Sequence, residues 1–189
     1  MTDLGISLFA SLGVAAQILC LALIAGLIAA AVSRSARATL AAPYEAIGRV
    51  GGWLAWGGAM VATFGSLFMS EVAGFVPCRL CWQERGFMYP LISILIVVAI
   101  LRLWWLTWAA MIVPIIGAGI SARHVWIEIF PESESAQCRA GIPCSFKWIE
   151  EFGYVTIPVL ALTAFVLIAL LLARQWYRPQ RQRRWQEQE

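Results

Sequence analysis

Charge is scarce in this chain. Of its 189 residues only 13% are Asp, Glu, Lys or Arg, against 61% that are hydrophobic. That balance excludes an ordinary soluble domain, which needs far more polar surface to stay dispersed. Sustained alternation of apolar and polar residues is also missing, so membrane-barrel strands are excluded and helices remain. The first four residues carry no basic side chain, and the apolar run behind them is too long for a signal-peptide core. The expectation is a retained helix. Histidine is reduced to His124 alone, and cysteine to five residues, so any imidazole or thiol chemistry has few carriers.

What the chain has in abundance is long apolar runs. Five stand out, at 5–32, 51–69, 81–101, 103–121 and 155–173. Each is near the roughly 20 residues needed to cross a hydrocarbon core of roughly 30 Å. Only Arg102 separates the third from the fourth, which predicts a tight helical hairpin. Pro90, Pro114 and Pro158 fall inside spans, where neighbouring helices compensate for a kink. The expected fold is all-α, a polytopic membrane helix bundle.

Arginine orients it. Five spans put the two ends on opposite sides. Arg34, Arg37, Arg49, Arg102, Arg174, Arg178, Arg181, Arg183 and Arg184 then share one side, leaving Arg79, Arg85, Arg123, Arg139 and Lys147 on the other. The positive-inside rule makes the arginine-rich side cytoplasmic, with the N-terminus outside and the tail inside. The basic tail reads as an orientation signal touching anionic lipid, and nothing supports nucleic-acid binding.

Cys20 lies mid-span and reads as a small buried residue. The other four cysteines fall in two outside loops, where disulfides persist. Cys78 and Cys81 form Cys-x-x-Cys, and Cys138 and Cys144 form a wider pair. Structural staples, a four-cysteine zinc site and a relay between two dithiols all compete for them. Unequal spacing and the exoplasmic setting weigh against zinc. Cys-x-x-Cys closes too small a ring to add much stability, whereas it is a common form of reactive dithiol. That favours the relay.

Local chemistry points the same way. Cys81 begins the third span, where unpaired helix amides carry partial positive charge. Arg85, one turn deeper, is expected to stabilise a Cys81 thiolate; its alternative is a snorkelling residue at the lipid boundary. His124, just past the fourth span, reads slightly better as an exposed interfacial residue than as a proton or hydrogen-bond donor at the membrane surface. Segment 133–143, with its acids, Gly141 and Pro143, has the composition of a mobile loop.

The stretch Pro77-Cys78-Arg79-Leu80-Cys81-Trp82-Gln83-Glu84-Arg85-Gly86-Phe87-Met88-Tyr89-Pro90-Leu91 resembles the DsbB family, particularly its shorter BdbC-like branch. Ile142-Pro143-Cys144-Ser145 and Phe152-Gly153-Tyr154-Val155-Thr156-Ile157-Pro158 carry a second match. The resemblance covers roughly residues 50–172, four of five spans; the first span departs from the four-helix pattern. It implies a four-helix redox domain (50–175) preceded by an extra helix and cytoplasmic connector (1–49) and followed by a basic tail (176–189).

It also implies a membrane thiol oxidase in a bacterial cytoplasmic membrane, with both cysteine pairs outside. A reduced thioredoxin-like, DsbA-like partner would attack Cys138, and released Cys144 would attack Cys78. Cys81 would then face a bound ubiquinone or menaquinone, with Arg85 stabilising both and His124 near the ring. The main rival is a vitamin K epoxide reductase-like enzyme, where the loop pair precedes Cys-x-x-Cys; here Cys-x-x-Cys comes first. The other rival is a non-enzymatic membrane protein with stapled loops.

Overall fold

Five helices long and apolar enough to cross a membrane make up most of the chain. The computed structural model describes residues 2–101, 103–139 and 141–186, with the side chains of 104 and 176–186 excepted. Arg102 and the side chains of the four tail arginines from 178 onward therefore lie outside the described residues. The elements run α1 (Thr2–Val32), α2 (Arg34–Leu67), a π-helical turn (Phe68–Val72), α3 (Arg79–Leu101), α4 (Trp104–Ile129), a 3-10 turn (Pro131–Ser133), the single-turn α5 (Ala136–Arg139) and α6 (Ile157–Gln186).

Two boundaries differ from the sequence expectation. The stretch 34–50, ahead of the second apolar run, is helical and continuous with it, so α2 begins earlier than the apolar run at 51. Ser33 explains where it starts: its backbone is extended and its Oγ accepts the N–H of Ala36, an N-cap before a run of Ala and Arg that favour helix. α4 likewise runs past Ser121 through Ile129. Hydropathy stops at Arg123, but Ser121, His124, Ile127 and Glu128 are all buried, at the spacing of one helix face.

Inside a membrane helices gain little from hydrophobicity alone and associate by close packing. The core follows that rule. Leu91, Leu95 and Val98 of α3 meet Phe165, Ile168 and Leu172 of α6, with Ala55 and Ala59 of α2 and Ala110 of α4 filling between them. A Cβ at Gly51 would stand 2.9 Å from the Leu171 carbonyl oxygen, and one at Gly117 2.5 Å from the Phe165 ring. Glycine at these positions sets how near α2 and α4 come to α6. α1 packs against both α2 and α6. The α2–α3 connection and the segment between α4 and α6 both gather at one end of this bundle, and the four loop cysteines are there.

Candidate active site

The first cysteine pair is built by the start of α3. Helical geometry begins at Arg79, so Cys78, not Cys81, occupies the capping position. Its carbonyl accepts the Trp82 N–H at 3.2 Å and its sulfur accepts the Cys81 N–H at 3.2 Å. A sulfur thus takes the place that a serine or aspartate oxygen usually fills. The partial positive charge of the helix end reaches Cys78 as well as Cys81, the third residue of α3. The two sulfurs are 2.8 Å apart and unbonded.

His124 reaches the same sulfur from α4. Its Nε2 stands 3.6 Å from Cys78 Sγ and 3.1 Å from the carbonyl oxygen of Cys144, and its Nδ1 is 3.1 Å from Glu84 Oε1. A carbonyl can only accept, so Nε2 carries a hydrogen, and Nδ1 faces the Glu84 carboxylate. The histidine is 2% exposed and Glu84 3%. The expectation of an exposed interfacial histidine is corrected: the extra turns of α4 carry the ring inward, against α3.

These contacts act on Cys78. Its thiol is held far below the usual range, at about 4, chiefly by the hydrogen bond from the Cys81 thiol. The hydrogen bond and charge of His124 push the same way, against the opposing effect of burial. Arg85 is anchored across to α2. Its Nε donates to Ser66 Oγ at 3.0 Å and its Nη2 to the Ser66 carbonyl at 2.9 Å, with the guanidinium 5.5 Å from the Trp82 ring centroid. It ties α3 to α2 just before the π-helical turn.

The second pair is closed. Cys138 and Cys144 form a disulfide with 5.4 Å between their Cα atoms, and both are buried against Cys78, Leu80 and Ile127. This removes the four-cysteine zinc alternative, since two of its sulfurs are bonded to each other. Cys78, Cys81 and His124 remain as three donors close enough to share an ion. Within the segment 133–143, which has the composition of a mobile loop, Glu134 is buried. That buried carboxylate accepts the backbone N–H of Cys144, the Ser145 N–H at 3.2 Å and the Ser145 hydroxyl at 3.3 Å. Thr156 Oγ1 donates to Glu128 at 2.6 Å and joins the end of α4 to the start of α6.

Beside the sulfurs lies an apolar cavity of about 270 Å³ between α1, α2, α3 and α6, near the small end of ligand sites, roughly 300 Å³ upward. Cys81, Glu84 and Arg85 provide its polar end, and Met69, Met88 and Trp148 are among its apolar walls. Trp148 also borders a small recess shared by Cys78, Cys81 and His124, and it stacks on Phe75 at 5.2 Å. Cys78 and His124 do not line the large cavity among the described residues. The dithiol therefore has two faces, Cys81 toward the cavity and Cys78 toward the second pair.

Glu84, Glu134, Ser66 and Trp148 were not singled out by sequence reasoning. Only Glu84 carried a signal, as an acid four residues inside a membrane helix.

A family model described as disulfide bond formation protein DsbB matches residues 48–175. The chain belongs to the DsbB family. Disulfide bond formation protein C of Bacillus subtilis is 39% identical over 121 residues, covering 64% of this chain and 88% of that one. A probable disulfide formation protein C of Halalkalibacterium halodurans is 38% identical over 138 residues (67% and 93%), and a probable disulfide formation protein of Metapseudomonas resinovorans 36% over 122 (63% and 84%). No solved structure matches significantly. Membership of the DsbB family makes this a membrane disulfide oxidoreductase working with a thiol–disulfide partner, and favours neither the vitamin K epoxide reductase-like rival nor the stapled-loop one.

Proposed function

We propose that this DsbB-family protein reoxidises a thioredoxin-like, DsbA-like dithiol protein and passes the electron pair to a membrane quinone. The observation that carries this reading is the two-faced dithiol: Cys81 borders an apolar cavity while Cys78 lies with His124 against the second cysteine pair. The positive-inside count supports an exoplasmic site and a cytoplasmic C-terminus in a bacterial inner membrane.

The exchange balances as follows. A donor thiolate attacks Cys138, forming the mixed disulfide and releasing Cys144 as thiolate. Cys144 attacks Cys78 of the oxidised Cys78–Cys81 pair, and Cys81 leaves as thiolate. The donor's second thiol attacks the mixed disulfide, releasing oxidised donor and the Cys138 thiolate. Cys138 then attacks Cys144, restoring its own disulfide and expelling Cys78. A leaving thiol of low pKa departs fastest, and Cys78 is held at about 4.

A quinone bound in the cavity supplies an acceptor for two electrons and two protons, which lets the Cys78–Cys81 bond reform. The cavity fits such a group in its apolar walls and its single polar end. Cys81 presents its sulfur there, and Arg85, anchored by Ser66, holds positive charge beside it. Glu84 touches both the cavity and His124, so it can carry a proton from the Cys78 side to the cavity side.

Quinone reduction by the purified protein, with a reduced thioredoxin-like protein as donor, tests the reading. Activity should vanish in both Cys81→Ser and Cys138→Ser. A wild type that reduces neither ubiquinone nor menaquinone analogues would sink it.

A further inference from the structure

The helix that stands outside the family match is part of the cavity. Phe9, Leu12, Gly13 and Ala16 of α1 line it. Their spacing (i, i+3, i+4, i+7) is one face of a helix. Opposite them stand Cys81, Glu84, Arg85 and Met88, with the same spacing on α3. The family match begins at residue 48, so the four helices it covers would leave this side of the chamber open to lipid between α2 and α6.

α1 is docked there in a defined register. At Gly13 it comes so near α6 that a Cβ would meet the Leu160 side chain. Gln17 donates to Thr163 at 3.3 Å and accepts from the Tyr154 hydroxyl at 2.8 Å. Further along, Tyr44 of α2 donates to the Leu23 carbonyl at 2.9 Å. Phe9 packs on Phe68 with ring centroids 5.5 Å apart. Polar ties within an apolar medium select one placement of a helix, since the alternative leaves polar atoms unsatisfied in hydrocarbon. A helix serving only as an anchor has no need of them.

We infer that α1 is the specificity-determining wall of the quinone chamber, with Ala16 kept small to leave room for the substrate. This rests on the quinone-oxidase reading above and adds to it. α1 adds a further wall to a groove lined by α2, α3 and α6. It therefore governs how bulky a quinone enters and how tightly it is held, while leaving the exchange between donor and Cys138 untouched.

The test compares wild type, Ala16→Phe, Phe9→Ala and Ile18→Phe in the full chain, with decylubiquinone and menadione as acceptors. Ile18 is 63% exposed on the opposite face of α1 and serves as the control. Ala16→Phe is expected to raise the quinone KM at least tenfold, with the KM for the dithiol donor unchanged. Phe9→Ala should shift the ratio of KM values between the two acceptors, and Ile18→Phe should match wild type. Single-turnover capture of the donor at Cys138 reports whether each variant is folded, independently of quinone. Normal capture with wild-type KM values in both Ala16→Phe and Phe9→Ala would overturn the assignment while leaving the oxidase reading intact. A wild type that captures donor but reduces no quinone would overturn both.

Discussion

Removing the imidazole of His124 should make the Cys78 thiolate harder to form. In the reduced protein Cys78 is held at about 4, first by the Cys81 thiol and then, against burial, by His124. A hydrogen bond to a charged group contributes about 1.5–3 kcal/mol, and one pKa unit is about 1.4 kcal/mol. His124→Ala should therefore raise the Cys78 value by about 1–2 units. The thiolate is present above the folded value and is lost as pH falls through it. The low value thus favours the reduced fold fully above about pH 8.5, the ordinary thiol value, and progressively less down to about 4. The effect of the substitution is small at pH 7. Near pH 5 the thiolate fraction should drop from about nine-tenths to between about one-tenth and one-half. Thiolate absorbance at 240 nm, titrated in a Cys138→Ser, Cys144→Ser background, isolates the Cys78–Cys81 pair. A midpoint within about 0.3 unit of the parent would refute the claim that His124 holds this thiolate, against an expected shift of at least about 1.

Three further outcomes follow from the same contacts. Glu134→Ala strands the buried N–H of Cys144, at about 1–3 kcal/mol, and removes the partner of the half-buried Ser145 N–H; the Cys138–Cys144 bond should then be reduced by dithiothreitol at least several-fold faster. Arg85→Lys keeps the charge but loses the paired contact with Ser66, so the quinone KM should rise, and rise further in Arg85→Met, with donor capture at Cys138 unaffected. Gly117→Ala places a methyl 2.5 Å from the Phe165 ring; such overpacking costs about 1–3 kcal/mol, visible as a lower melting temperature in detergent.

The number and helical nature of the spans were legible in the residues alone. Low charge and long apolar runs leave a membrane chain few alternatives, because every backbone polar group must be satisfied within the segment. The two cysteine pairs and their separation along the chain were equally plain. Hydropathy could not find where α2 begins or where α4 ends. Ser33 caps a helix whose first turns are polar, and α4 continues past Arg123 on the strength of a buried face. Nor could spacing assign the chemistry within Cys-x-x-Cys. Which of the two sulfurs the histidine meets depends on how α4 packs against the start of α3, and only the folded backbone decides that. Glu84, 40 residues from His124, and Glu134, ten from Cys144, become partners only when α3, α4 and the intervening segment are brought together. The sequence by itself determined a membrane helix bundle with two cysteine pairs. Tertiary structure decided which sulfur meets which neighbour, and that α1 lines the cavity, because both depend on distances between segments remote in the chain.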